Sequence, residues 1–304
     1  MNLKKLLTYT FIWRLSLFII PLFVISLPNI FNVWSNFQGV RIIDLAREGY
    51  GTPNTFYSYS LFPFYPHLIR SLSLFFGYLP AGLIISNTCL FLSVIIFWKL
   101  VRLDFAPRTS YYALLILALF PSSFILGAVY SESLFLFLSL TSFYLVRKGN
   151  FWAAAIFAFF ASYTRAVGLI LWISLVIEYF AQRDISLKSI INKKIFSLAI
   201  PPIGAIIYFK FLTINTSNFL DFLPSIPQKL VLLHQVFFRY GRMILLMDHT
   251  SPLFVVILTE FLIGLLALVV IIFSHKTLRF SYWTYLTISY LLPTLWGSFS
   301  GFPR

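Results

Sequence analysis

Cysteine, acidic residues and charge of any kind are scarce in this 304-residue chain. The single cysteine, Cys89, lies inside an apolar run, so no disulfide can form within the chain and no Cys/His metal site is visible. Only 11% of residues are charged, while 60% are hydrophobic and the mean hydropathy is +0.88. A soluble domain cannot hide that much apolar surface, which excludes an ordinary soluble fold. Alternation of period two is also missing. The apolar runs are long and continuous, which favours membrane helices over a β-barrel.

Basic residues are present: 23 Lys and Arg stand against nine Asp and Glu, for a net charge of +14. In a soluble protein that excess would point to nucleic acid. Here the basic residues cluster in short connections between apolar runs, which is the positive-inside pattern, so membrane lipid and not nucleic acid is the expected partner. The apolar runs are read as spans near 6–27, 81–101, 111–128 and 132–146. Two shorter pieces, 151–163 and 166–180, flank Thr164-Arg165. Further spans follow near 195–214, 253–273 and 282–295. Residues 61–79 are apolar but interrupted by Pro63, Pro66, His67 and Arg70, which reads as an interfacial or re-entrant helix. Lys4 and Lys5 precede the first span, and no small-residue cleavage site follows, so that span reads as a retained signal anchor.

With the N-terminus in the cytoplasm and the spans threaded alternately, Lys99, Arg102, Arg108, Arg147, Lys148, Arg183, Lys188, Lys193, Lys194, Lys276 and Arg279 all fall inside. The same threading puts four polar motifs on the outer face. These are the loop Phe37–Tyr50, Ser131-Glu132, Thr164-Arg165 and the terminal Phe302-Pro303-Arg304. Their convergence at one interface predicts a single active cleft.

The residues of these motifs run in order along most of the chain. Phe37-Gln38, Leu45-Ala46 and Gly49-Tyr50 are followed by Leu61-Phe62-Pro63-Phe64-Tyr65-Pro66. Tyr130-Ser131-Glu132-Ser133-Leu134-Phe135 comes next, then Thr164-Arg165-Ala166-Val167-Gly168, and last Pro303-Arg304. Together they resemble the PIG-V family of mannosyltransferases, which holds the eukaryotic enzyme adding the second mannose of the GPI anchor and many bacterial relatives. The resemblance implies an all-α integral membrane protein of the GT-C type: a multi-span helical bundle with a catalytic outer loop carrying short interfacial helices. It implies one domain over 1–304, with outer loops near 28–80 and 215–252. Family members continue past the Pro-Arg motif, so the chain is expected to be truncated there. It also implies inverting transfer of a sugar, mannose by the resemblance, from a polyprenyl-phosphate donor. A glycan, a glycolipid or a protein would be the acceptor, and a bacterial cytoplasmic membrane or an ER membrane the location.

Such a transfer needs a carboxylate to take the acceptor's proton and donors to receive the charge growing on the leaving phosphate. The family's carboxylate is an Asp in the first loop, and Gln38 stands in its place. A neutral amide cannot take that proton. Three readings follow: rescue by Asp44, Glu48 or Glu132, binding without transfer, or a local shift of the alignment. Asp44 lies six residues on, about 240° round a helix, so it does not simply replace Gln38 on one face.

Arg165, Arg304, His67 and Arg70 are the candidate phosphate ligands. For each a plainer reading competes: Arg165 snorkelling at the interface, Arg304 as a terminal charge, His67 and Arg70 as the wet face of their segment. Glu132 is also well placed simply to complement a helix N-terminus. Arg14 and Glu260 are isolated charges within spans, and Arg14 has the length to snorkel. No paired D-x-D occurs in the first loop, so no cofactor is expected, with a divalent metal as the alternative. A transporter is the remaining class. Its polar sites would lie near the midplane, whereas these crowd one interface.

Overall fold

The computed structural model describes residues 3–19, 30–52, 58–183, 192–215, 231–295 and 297–299. Among them there are thirteen α-helices and no strand, the all-α membrane protein expected from composition. The chain divides into two compact units. One comprises Met1–Trp172 with Ile185–Phe219, the other Ile173–Asp184 with Leu220–Arg304.

The first unit begins with α1 (Leu3–Ile19) and the single turn α2 (Ile30–Val33). The polar stretch after the first span is itself helical. α3 (Gln38–Glu48) buries Gly39, Ile42, Leu45 and Ala46, a stripe at helical spacing, and stops at Gly49 with φ 82°, a conformation glycine tolerates. α4 (Phe64–Phe76) is the interrupted segment. It buries Tyr65, Pro66 and Ile69 and leaves Leu74, Phe75 and Phe76 exposed at its far end.

α5 (Tyr78–Val101) has 24 residues, about 36 Å of helix, enough to cross a bilayer core of ~30 Å. α6 (Pro107–Leu119) is shorter than the expected span over 111–128. The cause is Pro121. The residue before a proline is pushed out of the α region, and Phe120 takes φ −58°, ψ 134°. A 3-10 segment, Pro121–Gly127, continues from there.

α7 (Glu132–Arg147) and α8 (Phe151–Thr164) form an antiparallel hairpin closed at Gly149 (φ 76°). Small residues let them approach. Ser142 donates to the Ala154 carbonyl at 2.8 Å, and Ala154, Ala155, Ala158 and Ala161 are all buried. Asn150 caps α8 by accepting from the Ala153 amide. Arg147 grips Asp104 with both arms of its fork, tying the end of α7 to the turn after α5.

α9 (Gly168–Ala181) starts in the first unit and ends in the second. A 3-10 turn, Lys193–Ala199, leads into α10 (Pro201–Asn215), where Gly204 lies against the Phe159 carbonyl of α8 and Ser162 donates to the Pro201 carbonyl. From α10, Tyr208 donates to the carbonyls of Tyr59 and Leu61, pinning the chain just ahead of α4.

The second unit contains α11 (Leu233–Leu246), α12 (Pro252–Ser274) and α13 (Phe280–Leu295). Val236, Tyr240, Ile271, Tyr290 and Phe299 form its core. The strongest apolar window of α12 is only 11% buried, and so much bare hydrocarbon is suited to lipid and not to water. Glu260 does not stand alone there: Tyr240 donates to it at 2.7 Å. Glu178 is fully buried where α9 meets the start of α13, accepting from Arg279, Ser281 and Gln182.

Candidate active site

Backbone approach comes first. The Val129 amide donates to the Trp34 carbonyl at 2.8 Å, and the Tyr130 hydroxyl donates to the Asn36 carbonyl at 2.8 Å. The segment entering α3 is thereby laced to the segment entering α7. Two glycines make room. A Cβ on Gly39 would lie 3.1 Å from the Val129 carbonyl oxygen, and one on Gly82 of α5 would lie 2.7 Å from a Val129 methyl. The start of α3, which is Gln38, and the start of α7, which is Glu132, are brought into one neighbourhood.

Tyr65 of α4 supports that neighbourhood from beneath. It is fully buried, with its hydroxyl 2.6 Å from Ser86 Oγ and donating to the Gly82 carbonyl at 3.0 Å. Ser86 donates in turn to the Tyr130 carbonyl at 3.3 Å. Burial holds the Tyr65 phenol protonated far above its ordinary range, and the negative charge of Glu132 adds to this in a smaller way.

The chain then supplies the cation. α8 ends at Thr164, and Arg165 is extended (φ −155°, ψ 146°), so its side chain leaves the helix axis. Gly168 allows the turn into α9, since a Cβ there would lie 2.3 Å from Ser162 Cα. Arg165 Nη1 meets Glu132 Oε1 at 2.8 Å and Ser131 Oγ at 3.3 Å. Side-chain exposure is 11% for Glu132 and 32% for Arg165. The second carboxylate oxygen, Glu132 Oε2, is buried and has no hydrogen-bond partner among the described residues. A carboxylate clamped by one oxygen with the other unmet is suited to receive a hydroxyl. A guanidinium one third exposed is suited to receive an anion.

Gln38 is half-buried at the first position of α3. Asp44 is half-buried and Glu48 exposed. Both fall on the side of α3 opposite its buried stripe, and Glu48 accepts from Thr52 at 2.8 Å. Neither lies on the buried side of α3. His67 and Arg70 are exposed on α4, turned from the face that carries Tyr65 and Ile69. Desolvation against α4, and then the charge of Arg70, hold the His67 imidazole below its ordinary value. Arg304 lies outside the described residues. No group of three or more His, Cys, Asp or Glu is clustered among the described residues.

The starts of α3 and α7 and the end of α8 thus meet in one place, with Tyr65 of the Leu61–Pro66 motif bonded to them through Ser86. The family described as Mannosyltransferase (PIG-V) matches residues 17–224, more than half of the chain.

The chain belongs to the PIG-V mannosyltransferase family.

It is therefore a membrane mannosyltransferase, which needs a sugar donor, an acceptor and the surrounding lipid. No curated protein and no solved structure matches it. The PIG-V match covers Gln38, Tyr65, Glu132 and Arg165 together. Reading by motif singles out Glu132 and Arg165, which the structure pairs. It missed Tyr65 and Ser86 as the support beneath them, although Tyr65 sits inside a quoted motif. The signal available was a tyrosine beside Pro66, two residues after Pro63, in an otherwise apolar segment. Ser86 carried no signal, because a lone serine in a span looks like any other.

Proposed function

We propose that this PIG-V mannosyltransferase takes mannose from a polyprenyl-phosphate carrier and passes it, with inversion, to an acceptor hydroxyl on the outer or lumenal face of its membrane. The observation that carries this reading is the unmet Oε2 of Glu132 beside a partly exposed Arg165. In the reaction the acceptor oxygen bonds to the anomeric carbon as the bond from that carbon to the phosphate oxygen breaks. The electron pair leaves with the phosphate and the acceptor's proton passes to Glu132. Gln38, a neutral amide, takes no proton and instead offers hydrogen bonds to a sugar or acceptor hydroxyl. Arg165 faces the charge that grows on the departing phosphate, where a planar fork of donors is worth most.

Topology supports the location. The basic connections fall on one side when the N-terminus is cytoplasmic, and the catalytic segments fall on the other. The reaction as proposed uses no resident metal, so a chelator is expected to leave the rate unchanged.

Gln38 favours a second reading, a protein that binds the lipid-linked sugar without transferring it. One experiment separates the two. The purified chain is incubated with radiolabelled polyprenyl-phosphate mannose or with a nucleotide-linked mannose, each in the presence of candidate glycan, glycolipid and peptide acceptors. Labelled product from the lipid donor alone supports the proposal. Donor binding with no product from any acceptor supports the binder, and product from the nucleotide sugar contradicts the donor assignment.

A further inference from the structure

A second group of unmet polar atoms lies in the first unit, and all of them are donors. Arg14 of α1 is only 4% exposed, so it does not snorkel. Its guanidinium occupies the space above Gly127, where a Cβ would lie 1.1 Å from Nη2. The rings of Trp34 and Phe18 flank it, with centroids 5.5 and 5.6 Å from Cζ. Nη1 reaches the Phe124 carbonyl only at 3.4 Å, while Nε and Nη2 have no partner. The indole nitrogens of Trp13 and Trp34 are likewise buried and unmet. No ion pair to Arg14 is formed among the described residues.

An arginine cannot shed its charge, and a buried cation without a countercharge costs several kcal/mol, on the order of the penalty for one desolvated ion. Donors gathered without an acceptor describe a place for an anion. A cleft lined by Thr10, Trp13, Arg14, Leu117, Ser123 and Leu126 adjoins it. Its enclosed part has room for about one water-sized group, which is the size of a single phosphate oxygen. Nearby, Tyr9, Phe11, Ile12 and Leu15 leave large parts of α1 bare, a surface along which a hydrocarbon chain can lie.

We propose that Arg14, with Trp13 and Trp34, binds the phosphate of a lipid phosphate ester at a site separate from Glu132 and Arg165. The site draws its specificity from a charged oxygen in the cleft and an alkyl chain along α1. It depends neither on the identity of the sugar nor on transfer.

Thermal unfolding of the full-length chain in detergent tests it, with farnesyl phosphate, farnesol and inorganic phosphate as separate additions. Farnesyl phosphate in large excess is expected to raise the wild-type midpoint by about 5 °C, and farnesol to leave it unchanged. Arg14→Met is expected to reduce the shift to the part contributed by the Arg165 site, while matching or exceeding the wild-type midpoint without ligand, since it removes an uncompensated buried charge. Should that variant fail to fold, Gly127→Ala reads the same site, because its added methyl displaces the guanidinium. An equal shift in Arg14→Met and wild type would overturn the proposal, as would no shift with either phosphate. An equal shift from inorganic phosphate would overturn the lipid source.

Discussion

Arg165 meets Glu132 at 2.8 Å, one just past the end of α8 and the other at the first position of α7, 33 residues earlier. The pair uses a single nitrogen and a single oxygen. The second carboxylate oxygen is left unmet, and the guanidinium is one third exposed. The geometry leads directly to expectations for the two residues and for those around them.

Arg165→Ala is expected to lower the transfer rate by about 10²–10³-fold, the usual effect of removing one donor aimed at developing charge. Arg165→Lys should recover part of that loss, because an ammonium keeps the charge and loses the fork. Initial rates at saturating donor check this. Equal rates for wild type and Arg165→Ala would remove Arg165 from the leaving-group site.

Gln38→Asp is expected to change kcat/KM by less than about tenfold, because in the proposed reaction Glu132 supplies the carboxylate. Asp44→Asn and Glu48→Gln should stay close to wild type, since both lie on the far side of α3 from its buried stripe. A rise of about 10²-fold in Gln38→Asp would instead mean that the base has been lost at position 38.

Gly39→Val forces branched atoms into the 3.1 Å approach to the Val129 carbonyl, so it should separate α3 from α7 and abolish activity. Tyr65→Phe keeps the ring and removes the hydroxyl that serves Gly82 and Ser86. The expected loss is about 1–3 kcal/mol, measured by denaturant unfolding in detergent. An unchanged midpoint would show that this hydroxyl does not support the site.

In the second unit, Arg279→Met leaves the Glu178 carboxylate buried with its cation gone, while Glu178→Gln leaves a guanidinium that is already 35% exposed. The first change should cost about 3 kcal/mol, the low end for breaking a buried pair, because Ser281 and Gln182 still donate. The second should cost about 1 kcal/mol. Unfolding midpoints of the two variants check the order, and a reversed order would contradict it.

Local pattern accounts for what could be read in advance. The apolar run of α5 needed only hydropathy and length, and that of α12 the same. α3 reads as loop from its composition, because its polar residues dominate. Its stripe of Gly39, Ile42, Leu45 and Ala46 was nonetheless present in the sequence. The break of α6 at Phe120 follows from Pro121 by a local steric rule. Nothing local marks Glu178, because its partners Arg279 and Ser281 lie about a hundred residues away and no spacing links them. Arg14 was expected to have the option of snorkelling. It is buried because Gly127, remote in sequence, leaves a space the size of a guanidinium.

The central claim is that Glu132 takes the proton that Gln38 cannot. Single-turnover transfer by Glu132→Gln, with donor affinity measured in parallel, tests it most directly. The account predicts a rate lower by about 10²–10⁴-fold with donor still bound, since the amide keeps the shape of the carboxylate and loses its charge. A Glu132→Gln enzyme that binds donor and transfers mannose at the wild-type rate would contradict it.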